Sequence, residues 1–328
     1  MCDPLFVFIV LNYNGGHLLS YCLPTLRRIR YSNYKTVVVD NGSTDRSVAM
    51  MKECFPEVTI IETHKNLGWG GGNNVGIEYA KRLHAEFVVL LNNDTKVHPD
   101  FLKAIASFAS KHPQASMFAG KYYLMNTRTL QAAGGGFFTK EAKAEGIFLG
   151  LDEKDEGQYD RARKLDFVYE AALVARMSLF ERIGLIDPQW QFWFEGADLG
   201  KRAAKLGIEA WYVPQASVEH EVSATFLDKE KPLKTVTHMM RTLAMTKNRF
   251  RFYLKHYPLS EAITTQARHN RNAIAKISDK PELLVLEMHS MAWNFLHLLP
   301  TLALKDLKRE NYDDAYVKLL SECDITEP

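Results

Sequence analysis

The sequence lacks the features that would place it in several large protein classes. Its four cysteines, Cys2, Cys22, Cys54 and Cys323, are far apart and form no C-x-x-C pair. That excludes a zinc ribbon or a disulfide framework and fits a reducing compartment. No apolar run reaches the length of a membrane span. The N-terminus has no basic segment followed by a long apolar run, so no signal peptide is expected. No Gly-Lys-Ser/Thr follows the conspicuous glycine-rich segment Asn66–Gly76, which excludes a Walker A phosphate loop there. Neither sign of charge dominates, with a formal net charge of +2 over 328 residues. What remains is an ordinary globular composition, long enough for one large domain or two smaller ones.

The central stretch is Phe87-Val-Val-Leu-Leu-Asn-Asn-Asp-Thr95. Five apolar residues without alternation predict a strand covered on both faces of a parallel sheet. The run ends abruptly in Asn92, Asn93 and Asp94. Open α/β sheets bind ligands just outside the carboxyl ends of their strands. A carboxylate there can hold a hard divalent cation, which in turn can hold a phosphate. The same three residues would also suit a turn before the helix expected from about Pro99.

Similar runs precede it at Phe6–Leu11, Thr36–Asp40 and Val58–Glu62, with helical patterns between them. This alternation predicts βαβ units and a parallel sheet over residues 5–112. If those strands are neighbours, Asn12-Tyr13-Asn14, Asp40-Asn41 and Asn92-Asn93-Asp94 line one edge. With Asn66–Gly76 read as a glycine-rich loop entering a helix, that edge suggests a nucleotide pocket. Further on, Ser116–Leu124, Asp166–Arg176 and Glu209–Pro214 read as strands. Gly134–Phe138 reads as a hairpin and Asp152–Arg163 as an exposed loop. Leu199, Ala203 and Leu206 mark a helix stopped by Gly207. Glu195 and Asp198, at the start of that helix, also complement its dipole.

In order and spacing, six features resemble a family 2 glycosyltransferase with the GT-A fold, of the bacterial rhamnosyltransferase-like branch. They are Val10–Asn14, Val39–Asp45, Asn66–Gly76, Leu90–Thr95, Phe192–Leu199 and His220. The resemblance covers residues 5–225 and implies an α/β fold: a Rossmann-like nucleotide-binding sheet flanked by helices, as a catalytic domain over residues 1–228. It assigns Leu11, Asn12, Tyr13 and Asp40 to the base and ribose of a nucleotide sugar. Asn41, Gly68, Trp69 and Asn74 are further expected donor contacts. Asn92-Asn93-Asp94 takes the place of the family's Asp-x-Asp motif, with Asp94 expected to bind Mn²⁺ or Mg²⁺. Asn92 stands where that motif has its first carboxylate, which leaves fewer charges on the metal. His220 matches a second metal ligand, and an imidazole suits Mn²⁺ better than Mg²⁺.

Two positions depart from the family pattern. Glu170 stands where a Gly-Ala pair is usual. Gly196 stands where the family has the aspartate that deprotonates the acceptor. Glu195, favoured, or Asp198 is then the expected base; otherwise the chain is catalytically impaired, and Gly196→Asp would be expected to raise turnover. The implied activity is an inverting, metal-dependent transfer in cell-surface polysaccharide synthesis. dTDP-L-rhamnose is the favoured donor, UDP-sugars come next, and the acceptor is a glycan or lipid-linked glycan. The rival readings are a nucleotidyltransferase and a non-catalytic sugar-nucleotide binding protein.

Residues 229–328 form a second, mostly helical region. Between Lys229 and Arg309 there are fifteen Lys/Arg against six Asp/Glu. An apolar segment, Leu283–Leu299, carries Trp293 and Phe295 opposite a narrow polar face. This region is expected either to pack on the catalytic domain or a second subunit, as in a homodimer, or to lie on an anionic membrane surface. No nucleic-acid motif is present. The expected location is the cytoplasm, with peripheral contact at the inner face of the cell membrane.

Overall fold

The computed structural model describes residues 3–138, 147–190, 193–221, 247–274, 292, 316 and 318–328. The apolar runs become the sheet. The chain proceeds through β1 (Phe6–Asn12), α1 (Gly16–Leu26), β2 (Tyr34–Asp40), α2 (Ser47–Cys54), β3 (Thr59–Glu62), α3 (Gly68–Arg82), β4 (Phe87–Asn92), β5 (Thr95–Val97) and α4 (Phe101–Lys111). It continues with β6 (Ala115–Leu124), β7 (Leu130–Ala133), β8 (Gly135–Phe137), β9 (Ile147–Phe148), β10 (Arg163–Leu165), β11 (Phe167–Val168), β12 (Ala172–Arg176), α5 (Met177–Ile183), α6 (Glu195–Ala204) and β13 (Glu209–His220). Beyond these lie α7 (residues 247–256), α8 (Leu259–Ile274) and β14 (Asp324–Thr326).

Eleven strands form one mixed sheet, ordered β10-β13-β6-β12-β4-β1-β2-β3-β14, with β5 on β13 and β7 on β6. β1 pairs in parallel with β2 and β4, and β2 in parallel with β3. β12 runs antiparallel to both β4 and β6. A small second sheet joins β11, β8 and β9. Phe6 to Val10 of β1 have no exposed surface. This is what a continuous apolar run requires when helices cover both faces.

Two expectations change. The glycine-rich segment is not a loop: α3 begins at Gly68 and takes in Gly70, Gly71 and Gly72. Glycine is a poor helix former, but here it permits close packing. A Cβ on Gly72 would stand 2.3 Å from Leu11 Cδ1 of β1. The strand expected over Asp166–Arg176 is two strands, β11 and β12, in different sheets, with a turn at residues 169–171. Described residues on either side of position 228 pack together. β14 pairs antiparallel with β3 at the sheet edge, and α7 packs on the catalytic unit. Phe252 of α7 joins Trp190 and Phe194 in a buried aromatic cluster.

The basic character of α7 has a local explanation. Arg251, 2% exposed, lies 3.7 Å from Asp187. Lys255 lies 2.8 Å from both Asp187 and Asp198. These two cations neutralise buried acids on the other side of position 228. The segment Leu283–Leu299 falls outside the described residues. Among the described residues no helix is long and apolar enough to cross a membrane.

Candidate active site

The strand register gathers the polar strand ends. Asn12 stands opposite Asp40, and Leu11 opposite Asn92. Asn12 is fully buried and donates through Nδ2 to Asp40 Oδ1 (3.0 Å), Ser43 Oγ (3.2 Å) and Ser47 Oγ (3.0 Å). Its Oδ1 accepts from Asn93 Nδ2 at 3.1 Å. Asp40 is buried, and its other oxygen accepts from Ser43 N at 3.0 Å. The β1, β2 and β4 ends are thus tied together by a satisfied polar network, the condition under which buried polar groups rigidify a site.

The other expected donor contacts sort by placement. Tyr13 is 40% exposed and open to a ligand, while Leu11 is half-buried. Trp69 Nε1 donates to Asn92 Oδ1 (3.1 Å), which orients both groups. Asn41 is a clip for the entry to α3. Its Nδ2 donates to Asn66 Oδ1 and Gly68 O, and its Oδ1 accepts from Leu67 N. Asn74 is corrected. It is fully buried, its Nδ2 donates to Ile186 O (2.7 Å), and its Oδ1 accepts from Ile186 N (3.0 Å). It staples α3 to the loop after α5 and is closed off from solvent.

Asp94 and His220 meet. β13 pairs with β5 so that His220 faces Thr95, and His220 Nε2 lies 3.0 Å from Asp94 Oδ1. Both side chains are nearly buried, yet Asp94 Oδ1 accepts no hydrogen bond. The other ring nitrogen, Nδ1, lies 2.8 Å from Gln131 Oε1, an acceptor, so Nδ1 carries a hydrogen. A neutral ring then turns its Nε2 lone pair towards a carboxylate oxygen. Two acceptors that close need a proton or a cation between them. A carboxylate and an imidazole are a donor set suited to Mn²⁺, so the residues fit the metal expected here. Among the described residues no third His, Cys, Asp or Glu joins them.

The N-terminus of α6 carries the remaining chemistry. Trp193 and Phe194 both hold positive φ (60° and 78°) just before it. Such strain in bulky residues persists only where the surroundings enforce it. Asp198 is fully buried. Its Oδ1 accepts from His256 Nε2 (2.7 Å) and lies 2.8 Å from Lys255, and its Oδ2 accepts from Arg202 Nε (2.9 Å). Burial alone would raise its carboxyl, but Lys255, Arg202 and His256 hold it well below the usual range. It is a structural anion, which corrects its expected role as a base.

Glu195 is 2% exposed, and its Oε1 has no partner. Burial first, then the charges of Glu170 and Asp198, push its carboxyl well above the usual range. A carboxyl so raised and shut off from solvent argues against the preference for Glu195 as base. Glu170 is half-buried, and its Oε1 accepts from Gly196 N at 2.8 Å.

Gly196 has no room for a side chain. A Cβ there would stand 2.4 Å from Val168 O and 2.9 Å from Glu170 Oε1. Gly196→Asp is therefore expected to cost about 1–3 kcal/mol through overpacking and to leave turnover no higher. Thermal denaturation checks this, and an unchanged Tm together with faster turnover would contradict it.

Sequence reading missed two neighbours of the site. Gln131 on β7 holds the His220 ring, and Glu221 accepts from Tyr21 Oη at 2.9 Å while its own N–H donates to Asp94 O. Neither sits in a motif; strand pairing brings both in.

Comparison with known proteins follows the same lines. The sequence profile described as glycosyl transferase family 2 matches residues 7–183. An N-acetylglucosaminyl-diphospho-decaprenol L-rhamnosyltransferase of Mycobacterium tuberculosis is 25% identical over 240 residues, 67% of this chain and 76% of that protein. A low-salt glycan biosynthesis hexosyltransferase of Haloferax volcanii is 24% identical over 212 residues, 63% of this chain and 64% of that protein. Among solved structures, a mannosyltransferase of Pyrobaculum calidifontis in complex with GDP-Man and Mn²⁺ superposes with a TM-score of 0.53 at 16% identity, covering 98% of this chain and 87% of that one. GalNAc-T7 with UDP, GalNAc and Mn²⁺ gives 0.56 at 14% identity, with 81% of this chain spanning only 55% of that one. The structural likenesses show the shared fold, as expected from the sequence.

Proposed function

This chain belongs to glycosyl transferase family 2, and from that membership we propose that it is an inverting, metal-dependent glycosyltransferase. It transfers a sugar from a nucleotide donor to a glycan or lipid-linked glycan acceptor in cell-surface polysaccharide synthesis. The observation that carries the metal-dependent reading is the Asp94–His220 pair: a buried carboxylate oxygen without a hydrogen bond, 3.0 Å from an imidazole nitrogen. The favoured donor is dTDP-L-rhamnose. That choice is supported by the rhamnosyltransferase relative, whose named acceptor is lipid-linked. A lipid-linked acceptor would bring the chain to the inner face of the cell membrane.

The residues divide the work by position. Asn12 and Asp40 brace the edge on which the nucleotide would lie, and Tyr13 and Trp69 flank it with aromatic surface. Asn92 and Asn93 supply neutral amide groups where the diphosphate would rest. Asp94 and His220 would hold Mn²⁺ or Mg²⁺, which when bound offsets negative charge on the leaving diphosphate. The acceptor oxygen bonds to the anomeric carbon as the bond from that carbon to the diphosphate breaks, and a carboxylate takes the acceptor proton.

A thermal-shift screen of nucleotide sugars with Mn²⁺ or Mg²⁺ tests the reading. A ligand at a hundred times its Kd stabilises the fold by about 2.7 kcal/mol. One donor class is expected to raise Tm only with the metal present. Equal shifts with and without metal, or none with any donor, would contradict the proposal.

A further inference from the structure

Glu170 lies in the turn between β11 and β12, and contacts on two sides fix that turn within the site. On one side, Asn92 N donates to Ala171 O (3.0 Å), and Ala172 pairs with Leu91. The turn therefore abuts the carboxyl end of β4, where Asn92, Asn93 and Asp94 begin. On the other side, the Gly196 N–H in the first turn of α6 donates to Glu170 Oε1 at 2.8 Å. The carboxylate fills the space that a side chain at position 196 would take, since a Cβ there would be 2.9 Å from Oε1 and 3.1 Å from Cδ of Glu170.

Three other acids of the site are committed elsewhere. Asp40 accepts from Asn12 and Ser43, and Asp94 faces His220. Asp198 is bound by Lys255, His256 and Arg202. Glu195 is shut off from solvent at 2% exposure, and burial pushes its carboxyl well above the usual range. Glu170 is only partly buried and is placed between the β4 end and α6.

We propose that Glu170 is the general base that removes the acceptor hydroxyl proton. This rests on the glycosyltransferase reading above. The acceptor oxygen forms its bond to the anomeric carbon while the bond from that carbon to the diphosphate oxygen breaks. The electron pair departs with the nucleoside diphosphate, and the acceptor proton passes to the Glu170 carboxylate. The Gly196 N–H and the positive end of α6 favour the charged form, against burial, which raises the carboxyl. A base poised above the usual carboxylate range is better matched to neutral pH. The groups facing it are Glu195 from α6 and Tyr122 from β6, and its charge pushes both of them up.

Glu170→Gln keeps the shape and the bond to Gly196 N–H but cannot accept a proton. Turnover is expected to fall by about 10²–10⁴-fold, while calorimetric donor affinity and Tm stay at wild-type values. Glu170→Asp, which retains a carboxylate, is expected to be faster than Glu170→Gln. The acid limb of the wild-type pH–rate profile should vanish in Glu170→Gln. If Glu170 only caps Gly196, the order reverses, because Gln caps as well as Glu and Asp falls short. Turnover of Glu170→Gln within threefold of wild type, or Asp slower than Gln, would overturn the assignment and leave the proposed function standing. Failure of the wild type to transfer sugar from any nucleotide donor would sink both.

Discussion

Asp94→Ala is expected to lower sugar transfer by on the order of 10³-fold, since the charge offset a bound metal supplies amounts to several kcal/mol. It is also expected to abolish metal-dependent donor binding. The fold should survive, because the side chain contributes no hydrogen bond through its buried Oδ1, and the backbone contact from Glu221 N to Asp94 O (2.9 Å) remains. His220 keeps its Gln131 partner. Where a cation alone bridges the pair, removing a buried acceptor that has no donor relieves a desolvation cost, and the variant in chelator should be as stable as wild type or more so. That stability readout separates two chemistries. If a proton rather than a cation sits between Asp94 and His220, the pair is a buried salt bridge, and breaking it costs about 3–5 kcal/mol. Turnover, calorimetry with Mn²⁺, and denaturation in chelator decide the matter together. Wild-type turnover in chelator-washed Asp94→Ala would remove Asp94 from the site.

Asp198→Ala should have the largest effect on stability. Its carboxylate, 1% exposed, is shared by Arg202, Lys255 and His256. Deleting it leaves buried cations short of their counter-charge, at about 3–5 kcal/mol. Lys255 retains Asp187, and Arg202 retains the Ile183 and Gly184 carbonyls, which favours the lower end of that range. The pH dependence follows from the depressed carboxyl. A group whose folded value lies below its unfolded value, about 3.9 for Asp, contributes fully above that unfolded value. The contribution is lost as pH falls through the folded value. His256, lowered by burial, is neutral near pH 7 and donates through Nε2. Denaturant unfolding at pH 7 should therefore separate wild type from variant widely, and unfolding in acid should bring them together. A constant gap across the acid range would contradict the ion-pair account.

The sequence showed what is local and hid what long-range pairing assembles. β1 to β4 were legible because an unbroken apolar run has few alternatives to a doubly covered strand. The strand-end residues Asn12, Asp40 and Asn92–Asp94 were legible because a parallel sheet must align them. The helix over Gly68–Gly72 was not, since local propensity opposes it and the close approach to Leu11 and Ile186 explains it. The commitment of Asp198 was hidden because two of its three partners, Lys255 and His256, lie on α7, more than fifty residues away. Glu170 and Gly196 looked like two unrelated departures from the family pattern. They are one feature, because the glycine leaves the space the glutamate fills.

The most direct test of the account is product analysis by mass spectrometry. Wild-type protein is incubated with dTDP-L-rhamnose or a UDP-sugar, a lipid-linked glycan acceptor and Mn²⁺. The account predicts one nucleoside diphosphate released for each glycosylated acceptor, with the anomeric configuration inverted and the reaction stopped by chelator. Release of pyrophosphate, retention of configuration, or donor binding without any glycosylated acceptor would contradict it.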